Sequence, residues 1–413
     1  MRKNWRKWGT VAFSALVMFT LTACSGSDAE GESEGDSNTL EVSVGAEYID
    51  YVNEIKDGFE QEENVSVQVT EKDMNEQMDS LPLDGPSGLG PDVTMSAVDR
   101  IGQGADQGFL SEVEVPEDTF NEQSIEQVTL NDNVYGIPAS TEALVMYYNK
   151  DLVSEAPETF DDLEEIAQDD QFDQDGDNIG FLANWTDLYF TYGLISGYGG
   201  YIFGEDGTDP SDIGLNNEGA VEGIEYAAHW FQDVWPDGML DVTGATNLIS
   251  DYFTQGKTAA IISGPWDVGN FNESDIDFGV AKIPELKNGE DYSTFGGGKA
   301  WVVSSFSENQ ELAQEFINYL STEENQTKFY EVTSEIPTNI QSQDKILDSD
   351  DEASKAVIEQ FKVSEPMPNL PQMAEVWAGT ENMLFDAGSG NLDPKEAADQ
   401  AVDGIKESIE QKY

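Results

Sequence analysis

Cys24 is the only cysteine among the 413 residues of the chain. A chain with one thiol has no internal disulfide available, so whatever it folds into must be held by a packed core. The composition can supply one. Hydrophobic residues make up 38% and aromatic residues 10% of the chain. The length exceeds what one ordinary core organises and points to two domains.

The setting of that cysteine carries further information. Lys3, Arg6 and Lys7 form a positive start, and Val11 to Thr22 is mostly apolar but too short for a comfortable membrane span. Leu21-Thr22-Ala23-Cys24 resembles the lipobox of bacterial lipoproteins, where the leader is removed and the cysteine carries lipid. That resemblance implies a signal peptide over residues 1–23, lipidation at Cys24, and a mature protein tethered to the extracellular face of the cell membrane. Residues 24–38 contain no large apolar side chain and read as an acidic, flexible tether. Folding is expected to begin near Leu40.

Charge is the second constraint. The 83 acidic residues outnumber 19 basic ones, for a net charge of −64. Arg100 is the only arginine beyond the leader. Nucleic acid binding is excluded as a function class, because phosphate contacts need a basic surface. The acids are spread along the chain, a pattern that fits a saline environment in which salt screens self-repulsion better than it fits a field aimed at one partner.

Leu40-Glu-Val-Ser-Val44 and Val65-Ser-Val-Gln-Val69 alternate as strands do, and Tyr51–Glu60 between them has apolar residues at helical spacing. Gly90-Pro-Asp-Val-Thr-Met95 reads as a turn entering a third strand. This order predicts a parallel sheet with helices on its faces. Further helices are expected over Glu218–Trp235, around Leu312–Leu320 and over Glu396–Ile409, with strands at Thr258–Ser263, Phe278–Ile283 and Trp301–Ser304. The fold class is therefore α/β in two lobes.

Several aromatic residues fall in turn-rich, polar context: Trp266 after Ser263-Gly-Pro265, Trp377 after a proline-rich stretch, and Tyr189 with Phe190 after Asn184-Trp-Thr-Asp187. Rings near carboxylates and amides suit sugars, because a ring face stacks on C–H groups while polar groups bind hydroxyls. Each ring taken alone is equally compatible with ordinary core packing.

At these residues the chain resembles the maltose/maltodextrin-binding lipoproteins of ABC importers. The segments that carry the resemblance are Tyr135-Gly-Ile-Pro138, Glu142-Ala-Leu144, Tyr148-Asn-Lys-Asp-Leu152, Leu188-Tyr-Phe190, Gly199-Gly-Tyr201, Phe253-Thr-Gln-Gly-Lys257, Ile262-Ser-Gly-Pro-Trp266, Gly279-Val-Ala-Lys-Ile-Pro284 and Glu365-Pro-Met-Pro-Asn-Leu-Pro-Gln-Met373. Gly90-Pro-Asp92 and Asp99-Arg100 match an early strand and its loop. The resemblance implies a periplasmic-binding-protein-like fold with a hinge between lobes. It places the N-terminal lobe at 39–141 plus 301–345 and the C-terminal lobe at 142–300 plus 346–413. It implies sugar stacking on Tyr189, Trp266 and Trp377, and hydroxyl binding by Asp99, Arg100, Glu142 and Asp187. Glu76 and Glu47 match more loosely. The implied partners are an oligosaccharide and the permease subunits of an ABC transporter, with the protein acting as a monomer and without a cofactor.

Three departures bear on the sugar. Ser96 stands where the family has a tryptophan, removing one stacking platform worth about 1 kcal/mol. Glu47 replaces a lysine, and Glu381 replaces an arginine. A different oligosaccharide, such as a cyclodextrin or a galacto-oligosaccharide, stays open. Arg100 can grip paired hydroxyls with its planar fork or serve a structural ion pair.

Other chemistry finds less support. Asp173-Gln-Asp-Gly-Asp-Asn178 partly resembles a calcium loop, but its sixth position is Asn178 and its twelfth is Asn184, so it is read as a surface turn without a metal. His229, the sole histidine, shares a helix face with Glu222 and Glu225 and reads as part of a solvated polar face, which argues against Ser-His-Asp and Cys-His catalysis. Gly296-Gly-Gly-Lys299 lacks the spacing of a phosphate loop. The protein is expected not to be an enzyme. A glycoside hydrolase, which needs only a suitably spaced carboxylate pair, and a sensor lipoprotein of the same fold remain as rivals.

Overall fold

The computed structural model describes residues 38–413 apart from 175, 176, 242 and 243, with the side chain of Asp206 also left aside. The leader, Cys24 and nearly all of the tether lie outside the described residues, as do Asp175 and Gly176 of the acidic turn.

Two sheets organise the chain. The first runs in the order Ile336–Pro337, Ile137–Glu142, Phe295–Val303, Val93–Ala97, Thr39–Val44, Ser66–Glu71, with Glu365–Pro366 beside the start of Phe295–Val303. The second runs Phe181–Leu182, Ala260–Ser263, Val145–Asn149, Phe278–Ala281. Thr39–Val44 pairs in parallel with both Ser66–Glu71 and Val93–Ala97, as the strand-helix-strand order predicts. The whole sheet is mixed, however, because Phe295–Val303 returns antiparallel between Val93–Ala97 and Ile137–Glu142. The chain passes from the first sheet to the second between Glu142 and Val145, and back between Ala281 and Phe295.

The expected lobe boundary at 300/301 falls inside the strand Phe295–Val303, within the crossing that the family resemblance places near 295–301. Gly297–Lys299 already pair with Glu142–Ser140 in the first sheet. The strand is nine residues long rather than beginning at Trp301, and three consecutive glycines conceal its first half. Gly298 is required there: its φ is +149°, and a Cβ would stand 2.0 Å from the carbonyl oxygen of Ser140. The register shifts immediately afterwards, between Lys299 and Ala300. Such a bulge re-aims the neighbouring side chain.

The helices follow their apolar periodicity. Ala46–Glu63 buries Tyr48, Tyr51, Val52, Ile55 and Phe59. It ends at Asn64, whose left-handed φ of 57° asparagine tolerates better than most residues. Gln310–Leu320 buries Ala313, Phe316, Ile317 and Leu320, and Glu218–Asp233 buries Val221, Ile224, Ala228 and Phe231. Pro394–Lys412 closes the chain against Met373–Gly388.

The second lobe is held by a cluster of large rings. Trp185 lies 4.9 Å from Trp235, and Phe181 lies 5.3 Å from Trp230. The Trp185 indole donates to the Tyr292 hydroxyl at 3.0 Å, and that of Trp235 donates to the Phe181 carbonyl at 2.6 Å. These two buried indoles are paired as burial demands, whereas the Trp230 indole in the same cluster has no hydrogen-bond partner among the described residues. Phe190, grouped by sequence context with the loop aromatics, is also buried.

Candidate functional site

Glu142 ends its strand in the first sheet, and Asp99 occupies the turn that follows Val93–Ala97. Asp187 caps the helix Leu188–Gly197, accepting from the Tyr189 amide at 2.9 Å, and so fixes Tyr189 in that helix's first turn. Trp266 projects from the turn Pro265–Asp267 after strand Ala260–Ser263. Trp377 sits in the helix Met373–Gly388 rather than in the proline-rich loop before it.

Three of these rings join one run. Tyr189 lies 6.3 Å from Trp266, and also 6.3 Å from Phe295, which makes an edge contact with Trp377 at 5.9 Å. Phe295 is fully buried, and Tyr192 stacks on it at 3.8 Å with planes 2° apart. Trp266 is different. It is 52% exposed, one of few large hydrophobic side chains left open among the described residues.

The carboxylates converge on the same place. Burial pushes the Tyr189 hydroxyl pKa up, and the charges of Glu142, Asp99 and Asp187 push it further. Asp99 is exposed to solvent, yet protein crowds it enough that desolvation raises its pKa, opposed by the neighbouring Arg100 charge. Exposure together with desolvation is the signature of a recess. Desolvation also raises the Asp187 pKa, and Glu381 adds to the effect. A Cβ on Gly297 would lie 3.8 Å from the Tyr189 hydroxyl and 3.9 Å from Glu142 Cβ, so the strand passes beneath both.

Not every sequence candidate is gathered in. Arg100 forms an ion pair with Asp79 and donates to the Asn75 carbonyl at 3.3 Å and side-chain oxygen at 3.1 Å. Its fork therefore faces the helix Met74–Asp84. Glu76 lies exposed in the first turn of that helix. Glu47 is exposed and turns back over Gly45, although its charge reaches Tyr48.

Sequence reasoning missed four residues here: Phe295, Lys299, Glu335 and Tyr48. Lys299 forms ion pairs with Glu142 and, at 3.0 Å, with Glu335. The Tyr48 hydroxyl donates to the other Glu335 oxygen at 2.6 Å. Burial pulls the Lys299 ammonium down, but the two carboxylates together outweigh it and hold its pKa above the ordinary lysine value. Only the strand register brings these residues together, so no local sequence signal announces them.

Of the acidic turn, the described ends pair through Asp173 and Asn178. Among the described residues no group of three or more His, Cys, Asp or Glu side chains could hold a metal ion. His229 lies on an exposed helix face against Asp233, at 2.9 Å. No helix among the described residues is long and apolar enough to cross a membrane.

Two lobes joined by repeated crossings of the chain, with Asp99 and Glu142 on one and Asp187 with the rings on the other, define a class of binding protein that can close on its ligand. The chain belongs to the bacterial extracellular solute-binding proteins, whose family pattern matches residues 54–358. It is similar to the maltodextrin-binding protein MdxE of Bacillus subtilis, 45% identical over 413 residues and covering 99% of each chain. It is also similar to a galactooligosaccharide-binding protein of Bacillus subtilis, 39% identical over 422 residues, covering 99% of this chain and 98% of the other. Among solved structures, the maltose complex of the maltose-binding protein MalE from Listeria monocytogenes superposes with a TM-score of 0.90 at 53% identity, covering 92% of this chain and 99% of that one.

Proposed function

We propose that this protein binds maltose- and maltodextrin-type oligosaccharides outside the cell and delivers them to an ABC permease by lobe closure. The observation that carries the reading is the pairing of unlike walls. The charges of Asp99 and Glu142, from the first sheet's lobe, reach Tyr189 in the ring run Trp266–Tyr189–Phe295–Trp377, and Asp187 stands beside that ring on its own lobe. Ring faces take the C–H faces of glucose units, and ionised carboxylates accept from hydroxyls. Asp99 and Glu142 belong to the first sheet's lobe, and Asp187, Tyr189, Trp266 and Trp377 to the second. A sugar that bridges both sets favours the closed state, because only there are both sets of contacts made. Arg100 holds the Asp99 turn against the helix that carries Glu76.

The maltodextrin- and maltose-binding relatives support this choice of sugar. The galactooligosaccharide-binding relative favours a second reading, in which the same walls take a galactose-containing chain. Calorimetry with maltotriose and a galacto-oligosaccharide separates the two: tighter binding of maltotriose supports the proposal, and preference for the galactoside replaces it. Incubation with maltodextrin should yield no shorter product, whereas product formation would favour a hydrolase.

The remaining assignments belong to the same proposal. The lobes comprise about residues 39–142 with 297–345, and 143–296 with 346–413. The chain acts as a monomer, anchored through lipid on Cys24 to the outer face of the cell membrane. Replacing Cys24 should release it from membranes, and continued retention would remove the anchor from this reading. The acidic surface suits a saline habitat.

A further inference from the structure

Glu142 stands at a point where two like charges meet. Ile336 pairs with Thr141 in antiparallel register, which puts Glu335 opposite Glu142 on neighbouring strands. Directly opposed carboxylates repel and would turn away from each other. On the other flank, Gly297 pairs with Glu142 and Lys299 pairs with Ser140. Gly297 has no side chain, so the Lys299 ammonium crosses that gap diagonally and reaches both acids. The bulge after Lys299 contributes to that aim. Tyr48 holds Glu335 from behind at 2.6 Å. The three ionic side chains are well shielded, at 17% exposure for Lys299, 28% for Glu142 and 24% for Glu335. Glu142 ends its strand and Glu335 directly precedes the strand Ile336–Pro337, so both acids lie at ends of strands in the first sheet.

We infer that Lys299 is a positioning residue for sugar recognition: it clamps Glu142 to Glu335 and so fixes the Glu142 carboxylate as a hydroxyl acceptor in the wall facing Tyr189. This rests on the reading that Glu142 binds the sugar. A carboxylate with one flank tied to an ammonium keeps its remaining lone pairs aimed in one direction, which lowers the ordering cost of binding. Without the lysine, Glu142 and Glu335 would face each other with no cation between them, and their repulsion would turn the Glu142 carboxylate out of its present direction. The charged and titratable groups around Glu142 are Lys299, Glu335, Tyr48, Asp99 and Tyr189.

The test is calorimetric titration of maltotriose into wild type, Lys299→Met and Lys299→Arg. Wild-type binding comes first, and its failure would sink the sugar reading itself. Given that binding, Lys299→Met should weaken affinity by about tenfold or more. Lys299→Arg, which keeps the cation, should restore most of the loss. A folded Lys299→Met protein with wild-type affinity, or with a loss that Lys299→Arg does not restore, overturns the inference. Lys299→Gln also removes the cation and gives the same readout if the methionine variant does not fold.

Discussion

The second lobe contains two sets of aromatic rings with opposite fates. Trp185 and Tyr189 are neighbours on adjoining turns of chain. Yet Trp185 is fully buried, with its indole bonded to Tyr292, while Tyr189 stands half-buried at the cleft beside the half-exposed Trp266. The first set spends its apolar surface on folding. The second withholds that surface, and an exposed indole gives up the burial energy of a large side chain, of the order of 25 cal/mol per Å². In the proposed function, that open surface beside desolvated carboxylates is kept for the sugar. The comparison makes a clean claim: the buried set governs stability, and the open set governs affinity.

The largest expected effect breaks that claim most easily. Trp185→Ala should cost about 3–5 kcal/mol of stability, through the lost ring and the cavity left behind. A thermal or urea melt checks it, and a near-native melt would show that the ring cluster is not what holds this lobe. Trp266→Ala should do the reverse. Sugar affinity should fall at least tenfold, about 1.4 kcal/mol, with the melt almost unchanged. Near-native affinity in calorimetry would take Trp266 out of the site.

Asp187→Asn sharpens the comparison on the polar side. Asparagine still caps the helix. Burial raises the Asp187 pKa on folding, so folding favours the protonated form and the ionised carboxylate costs stability once pH exceeds its raised value. The variant should therefore melt higher than wild type at neutral pH, and the gain should vanish as pH falls through the carboxylate range and Asp187 takes up a proton. Its sugar affinity should be lower at neutral pH and less pH-sensitive than that of wild type, whose affinity weakens on acidification. A variant less stable than wild type at neutral pH would contradict the desolvation argument. The smallest effect per residue is that of salt: added salt should raise the melting temperature by screening the net charge of −64. A flat or falling melt up to molar salt would speak against adaptation to brine.

Much of this was legible in the chain. The long amphipathic helices and the first parallel strands follow from periodicity, and the segments carrying Tyr189, Trp266, Trp377, Asp99 and Glu142 stand out through polar context and family resemblance. What escaped depends on pairing between distant segments. The strand Phe295–Val303 hides behind Gly296, Gly297 and Gly298, whose lack of side chains looks unlike a strand and lets Lys299 and Tyr189 approach Glu142. Phe295 reads as one more buried ring until it is seen between Tyr189 and Trp377. Arg100 offered two roles to sequence reasoning, and its contact with Asp79 comes from a helix about a turn and a strand away.

The most direct measurement is a calorimetric titration of maltotriose into the folded protein in brine. The account predicts saturable heat at one sugar per chain, from rings and carboxylates closing on a single ligand. A verified folded protein that gives no heat would contradict it.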